Sequence, residues 1–198
     1  MALIFGLWWV YFDFIGRREG ARRGMWSALI WGYSHAPLVI GIAAVSRVPG
    51  AHLVVAGDGP LRQTIDEQAR RLLPGRFTRF AELPPDRMPA LYRSADVFLH
   101  LAINESFGNV FIEAIATGLP VVARNSERVR WIVGEDEFLA DSDDDDATAR
   151  QIVRALAAPP AGREARVRRA AAFSWSRIGA AYREFLHEVA AAPAKSDE

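Results

Sequence analysis

Asn104-Glu-Ser-Phe-Gly-Asn-Val-Phe-Ile-Glu-Ala-Ile-Ala-Thr-Gly118 decides how the rest of this chain is read. Before it, Val97-Phe98-Leu99-His100-Leu101 is a nearly unbroken apolar run of strand length, and after it Pro120-Val121-Val122-Ala123 is another. Runs of this kind are buried strands of a parallel sheet. Between them Val110, Phe111, Ala114 and Ile115 fall on one face of a helix starting near Gly108. Gly118 suits the position just past the helix end, and Pro120 prevents continuation. Glu113 is the misfit. It lies about 7 Å along the axis from that start, at ~1.5 Å per residue, while Glu105 sits in the loop before it.

The first turn of such a helix offers N–H groups and the positive end of the dipole, which suit a phosphate, and Gly108 lets a ligand approach the backbone closely. An anion on the amides of Phe107, Gly108 and Asn109 would leave Glu113 and Glu105 to accept hydrogen bonds from sugar hydroxyls. The same two carboxylates also read as a solvated helix face and an acid favoured by the dipole near a helix start.

Glu105-Ser-Phe-Gly-Asn-Val-Phe-Ile-Glu113 resembles the Glu, seven residues, Glu motif of the family 4 (group 1) retaining glycosyltransferases. The flanks Ala95-Asp96-Val97-Phe98 and Gly118-Leu119-Pro120-Val121-Val122-Ala123 are similar to that family's surroundings, as is Gly57-Asp58-Gly59-Pro60, and the likeness runs from about Ala28 to Val189. It implies the donor-binding, C-terminal half of a GT-B fold. By this resemblance Glu105 is the catalytic candidate, contacting donor-sugar hydroxyls, and Glu113 takes the ribose. Ser106, Phe107, Gly108, Asn109 and Val110 would surround the diphosphate, and Phe80 and Leu83 would present the backbone around them to the nucleotide base. The donor implied is a nucleotide-diphosphate sugar. No cofactor and no metal is implied, the helix N-terminus standing in for a cation at the leaving group.

Two stretches compete for the first strand of that domain. Ala28-Leu29-Ile30-Trp31-Gly32 is preferred. It precedes a helix from Pro37 through Val45, the turn Val48-Pro49-Gly50 and the strand His52-Leu53-Val54-Val55-Ala56. Tyr33 then stands where the family has a phosphate-binding Arg, and Ser34-His35-Ala36 replaces the loop carrying its Lys. Gly32 and His35 are the candidates that remain there. Loss of both cations would remove charge-assisted contacts of ~1.5–3 kcal/mol each. Phe14-Ile15-Gly16-Arg17 with Arg23-Gly24 imitates the same family text, but it lies too far from Gly57 for one strand-helix-strand unit.

At 198 residues and 51% hydrophobic content the chain can bury a substantial core as one domain. Its 24 basic and 24 acidic side chains cancel, so no net field favours nucleic acid. The absence of cysteine excludes disulfides and thiolate metal sites. No run reaches the ~18 apolar residues of a membrane helix. Met1 to Phe12 is apolar without a basic segment before it or a small-residue cleavage site, and reads as an irregular leader or as a segment in peripheral contact with a membrane or partner.

Further along, Leu61, Ile65, Ala69 and Leu72 mark an amphipathic helix, Phe77 to Ala81 a short strand, and Asp86 through Ala95 a helix carrying Leu91 and Tyr92 to the core. Ser126 caps a helix through Val133. Asp141 to Asp146 holds five aspartates around Ser142, but it lacks the spaced pattern of a calcium loop and reads as the acidic start of a helix from Ala147 to Ala157. Ala161 to Ala172 and a last helix opened by Ser174 follow, the latter striped by Ile178, Tyr182, Phe185, Leu186 and Val189.

Strands near 28–32, 52–56, 77–81, 97–101 and 120–123 alternating with helices predict an α/β, doubly wound Rossmann-like domain with a parallel sheet. The expected division is an apolar leader and basic connector at 1–27, a donor-binding domain at 28–190 and a frayed tail at 191–198. Two functions fit. One is the donor half of a glycosyltransferase, expected in the cytoplasm with membrane association through the leader and with a separate acceptor-binding domain or chain as partner. The other is a non-catalytic fragment or interaction subunit that retains the fold and requires a partner acceptor domain.

Overall fold

The structure, a computed structural model, describes residues 3–7 (as backbone), 38–59, 61–102, 107–141 and 143–191. Six strands, β1 (Leu3–Leu7), β2 (His52–Ala56), β3 (Phe77–Phe80), β4 (Val97–His100), β5 (Val121–Arg124) and β6 (Phe138–Ala140), form one sheet in the order β3-β2-β1-β4-β5-β6. Every ladder is parallel. The connecting helices are α1 (residues 38–46), α2 (Arg62–Leu72), α3 (Met88–Ser94, entered through a 3-10 turn at Pro85–Arg87), α4 (Asn109–Ala116), α5 (Glu127–Val133), α6 (Asp145–Leu156), α7 (Gly162–Ala171) and α8 (Trp175–Ala191).

Side-chain alternation along the strands explains why the sheet is covered on both faces. Leu53 and Val55 of β2, Val97 and Leu99 of β4 and Val122 of β5 pack with Ile42 and Val45 of α1, Ile65 and Ala69 of α2 and Ile152 of α6. Their neighbours Val54, Ala56, Phe98, Val121 and Ala123 face the other way, onto Tyr92 of α3, Phe111, Ala114 and Ile115 of α4, Val129 and Ile132 of α5 and Ala170 of α7. The doubly wound α/β fold expected from the alternation of runs is thus the observed one. Among the described residues no helix is long and apolar enough to cross a membrane.

The first strand corrects the sequence reading. Leu3–Leu7, expected in an irregular or membrane-contacting leader, occupies the middle of the sheet, paired Leu3↔His52 through Leu7↔Ala56 on one side and Ile4↔Val97 and Phe5↔Phe98 on the other. Both 3–7 and 28–32 are apolar and of strand length, so composition cannot choose between them; hydrogen bonding to β2 and β4 does. The expected strand at 28–32 lies outside the described residues, as does the tail beyond Ala191. Segment 8–37 therefore connects the carboxyl end of β1 to α1, and the connector arginines, Gly32 and His35 all belong to it. The sixth strand, β6, was not anticipated; the other four fall within a residue or two of their expected positions.

Helix α7 locks the far side of the sheet to the central helix. Arg166 donates through Nε to Glu137 Oε1 at 2.6 Å, and Glu137 Oε2 accepts the Val121 N–H at 2.8 Å, so one buried carboxylate ties α7 to the start of β5. Arg169 donates through Nε to the Ile132 carbonyl at 2.7 Å and reaches the Trp131 and Arg130 carbonyls as well. Arg163 lies across Gly118, where any Cβ would collide with its side chain.

Candidate glycosyl-donor site

In a sheet of this order the topological switch point lies between β1 and β4, and ligands bind outside the carboxyl ends of those strands. The loop after β4 leads there into α4. Gly108 is the N-cap, buried, with φ 84° and ψ 42°, a left-handed conformation that a side chain would strain. Among the described residues no side chain caps the helix, the N-cap itself being a glycine. The Gly108 carbonyl accepts the Phe111 N–H at 2.9 Å, which leaves the amides of Asn109 and Val110 at the open end of the dipole. The other end is closed: the Gly118 N–H reaches the Ile115 carbonyl at 3.0 Å and the Leu119 N–H the Ala114 carbonyl at 3.2 Å, with Gly118 at φ 79°. This is the Schellman arrangement, and it fixes where the eight-residue helix stops.

Along α4 the buried face is Phe111, Ala114 and Ile115, while Asn109 and Glu113 are exposed. Glu113 is not merely solvated. The hydroxyl of Tyr92, from α3, donates to its Oε2 at 3.0 Å. Tyr92 is only 1% exposed, its ring edge-on to Phe98 at 5.7 Å. Burial first, and then the charge and hydrogen bond of Glu113, push its phenol pKa above the ordinary range, so it remains a proton donor. Sequence reading had assigned Tyr92 to the core alone. The general rule that a buried tyrosine hydroxyl finds a partner was available, but the partner lies 21 residues away on another helix.

Phe107 stands 43% exposed at the mouth of this helix start, edge-on to Trp131 of α5 at 6.4 Å, and Trp131 in turn meets Phe173 at 5.2 Å. His100, the last residue of β4, is buried beneath the same corner, stacked on Phe98 and edge-on to Phe111 at 5.0 Å.

Of the residues singled out beforehand, Phe107, Gly108, Asn109, Val110 and Glu113 are brought together on or beside the first turns of α4. Glu105, Ser106, Gly32 and His35 lie outside the described residues. Phe80 and Leu83 stand at the same end of the sheet but around β3, three ladder steps from β4, or about 14 Å at the usual spacing. Phe80 is 39% exposed, and its carbonyl accepts the Gly57 N–H at 2.8 Å. The Gly57-Asp58-Gly59 loop is held from behind: Arg79 donates to the Gly57 carbonyl at 2.8 Å and to buried Asp66 at 2.5 Å. Neither Arg79 nor Asp66 had been picked out. The aspartates behave as a helix start, Asp144 accepting the Ala147 N–H at 2.8 Å while Arg47 pairs with Asp145 and Asp146.

The family description "Glycosyl transferases group 1" matches residues 37–172, more than half of the chain. This chain belongs to that family. The group 1 glycosyltransferases similar to it in sequence include a lipopolysaccharide core biosynthesis glycosyltransferase of Rhizobium meliloti, 36% identical over 118 residues, or 59% of this chain and 34% of that one. Among solved structures, an alpha,alpha-trehalose 6-phosphate synthase from Burkholderia multivorans superposes with a TM-score of 0.70 at 16% identity, covering 100% of this chain and 45% of the other. A chain of a GtfA/B complex does so at 0.66 and 15%, covering 95% and 36%. At these identities the structures show the fold, that of one half, the C-terminal-like half, of a GT-B glycosyltransferase. The chain spans 18–34% of the length of the curated relatives it matches.

Proposed function

We propose that this chain is the donor-binding half of a retaining group 1 glycosyltransferase, taking a nucleotide-diphosphate sugar without a metal ion. The observation that carries the reading is the start of α4: a left-handed Gly108 opens a helix whose Glu113 carboxylate is held by Tyr92. The diphosphate would lie on the amides of Asn109 and Val110, where aligned N–H groups and the dipole supply the positive potential that a cation would otherwise give. Glu113 would accept hydrogen bonds from the ribose hydroxyls. Phe80 and Leu83, at the far side of the same crevice, suit the base. Glu105 belongs to the sugar by the family resemblance, as do retention of configuration and the absence of a cofactor. Segment 8–37, which follows β1 in the chain, carries Arg17, Arg18, Arg22 and Arg23 as well as His35, and these are candidate cations for the diphosphate.

A specific observation also favours the second reading, a subunit that works with a partner chain. The apolar stripe of α8 has no buried residue, Trp175 being 87% and Tyr182 65% exposed, which supplies an apolar face to a partner.

Calorimetric titration with UDP, GDP and ADP tests the donor reading. One of the three is expected to bind, and Glu113→Ala to weaken that binding by ~1–3 kcal/mol through the loss of a charged hydrogen-bond acceptor. Equal affinity of variant and parent removes Glu113 from the site, and no heat with any of the three removes the donor reading itself.

A further inference from the structure

An exposed glutamate on a helix is a poor receptor for a diol. Its three side-chain torsions are loose, and ordering them on binding costs part of what the hydrogen bonds contribute. Glu113 is exposed, yet its Oε2 is 3.0 Å from a hydroxyl whose own ring is 1% exposed and wedged against Phe98. One end of that hydrogen bond is therefore fixed by the core. A phenol donating to a carboxylate is a charge-assisted bond, stronger than a neutral one, and it occupies a single oxygen. The second oxygen, Oε1, keeps its full accepting capacity.

We propose that Tyr92 is a positioning residue for ligand recognition: by holding Glu113 Oε2 it presents Oε1, in a fixed orientation, to the vicinal hydroxyls of a bound ribose. The role rests on the donor reading above and deepens it by naming what makes Glu113 selective. Burial and the neighbouring charge keep the phenol protonated through the neutral range, so the hold does not lapse with modest changes of pH. Phenylalanine at 92 would keep the ring that meets Phe98 and remove the hydroxyl that donates to Glu113.

The experiment titrates the parent chain and Tyr92→Phe with the ribonucleoside diphosphate that binds best among UDP, GDP and ADP, and with its 2′,3′-dideoxy counterpart. Tyr92→Phe is expected to weaken the ribose form by about five- to tenfold and to leave the dideoxy form, which has nothing to offer Glu113, unchanged. The ratio of the two affinities is read within one sample, so it is independent of any loss of folded protein in the variant. In a Glu113→Ala background the same substitution should have no further effect on the ribose form. An unchanged ratio in Tyr92→Phe overturns the positioning role while leaving ribose recognition by Glu113 intact. Absence of nucleotide binding by the parent chain overturns both readings together.

Discussion

Glu137 shows what a single buried carboxylate does in this molecule. It accepts from Arg166 and from the Val121 N–H, yet burial outweighs both and raises its pKa above the ordinary glutamate range, with Asp136 adding to the rise. The native state then binds this proton more tightly than the unfolded chain. Between the unfolded value, near 4.5, and the higher native value, the folded protein carries more protons, so stability falls as pH rises through that window. Urea denaturation at a series of pH values should show this slope in the parent and a flatter one in Glu137→Gln; identical slopes would contradict the assignment. The sequence had drawn attention to carboxylates by density, at Asp141 to Asp146, or by motif, at Glu105 and Glu113. Glu137 has neither mark, and its partner Arg166 lies 29 residues on, so only the packed fold makes the pair visible. Tyr92 escaped for the same reason: its burial was readable from helical phase, its hydrogen bond was not.

At the scale of elements, α5 has both its ends supplied by side chains. Ser126 accepts the Val129 N–H at 3.2 Å at the start, as its residue type and position foretold, while the carbonyls of Arg130, Trp131 and Ile132 at the end converge on Arg169. A guanidinium there supplies donors to the last carbonyls, of which that of Arg130 also accepts the Gly134 N–H at 2.9 Å, and meets the negative end of the dipole. Arg169→Ala should therefore cost ~1–2 kcal/mol in chemical denaturation, and Arg169→Lys should recover only part of it because an ammonium lacks the planar fork. A variant as stable as the parent would show that water replaces the arginine without loss. Elements were legible where a local signal sufficed: apolar runs for strands such as β2, β4 and β5, a serine or aspartate at helix starts, Gly118 at a helix end. They were not legible where identity depended on pairing. The three residues of β6 are too few to carry a period, and β1 competed with an equally apolar run. For α8 the helix is where the sequence placed it, but its stripe buries no residue, since pattern reports a face and not what covers it.

For the whole lobe, the proposed donor role sets an expectation about activity. The sheet and its helices form one lobe, and the chain spans less than half of the solved glycosyltransferase chains it superposes on. Transfer needs donor and acceptor held in mutual orientation, a contribution of ~7–11 kcal/mol to lowering the barrier. On the proposed donor reading, these residues supply only the donor side of that arrangement. Purified monomer incubated with saturating UDP-, GDP- and ADP-sugars and a panel of sugar and lipid acceptors should give negligible transfer, with slow donor hydrolysis at most. Robust turnover by a verified monomer would place the acceptor site within these 198 residues.

The strand at the centre of that lobe is drawn from its first seven residues and is bonded to neighbours that arrive about fifty and ninety residues later. Withdrawn from the sheet, it would leave β3-β2 and β4-β5-β6 facing each other across two ladder spacings, about 10 Å, each with a fresh row of unpaired amides and carbonyls. That slot is dimensioned for one extended segment and does not ask which molecule supplies it. A second copy of the chain carries a matching insert, so β1 is the piece by which two molecules could trade places, closing into an exchanged dimer or, where closure fails, running on into open chains.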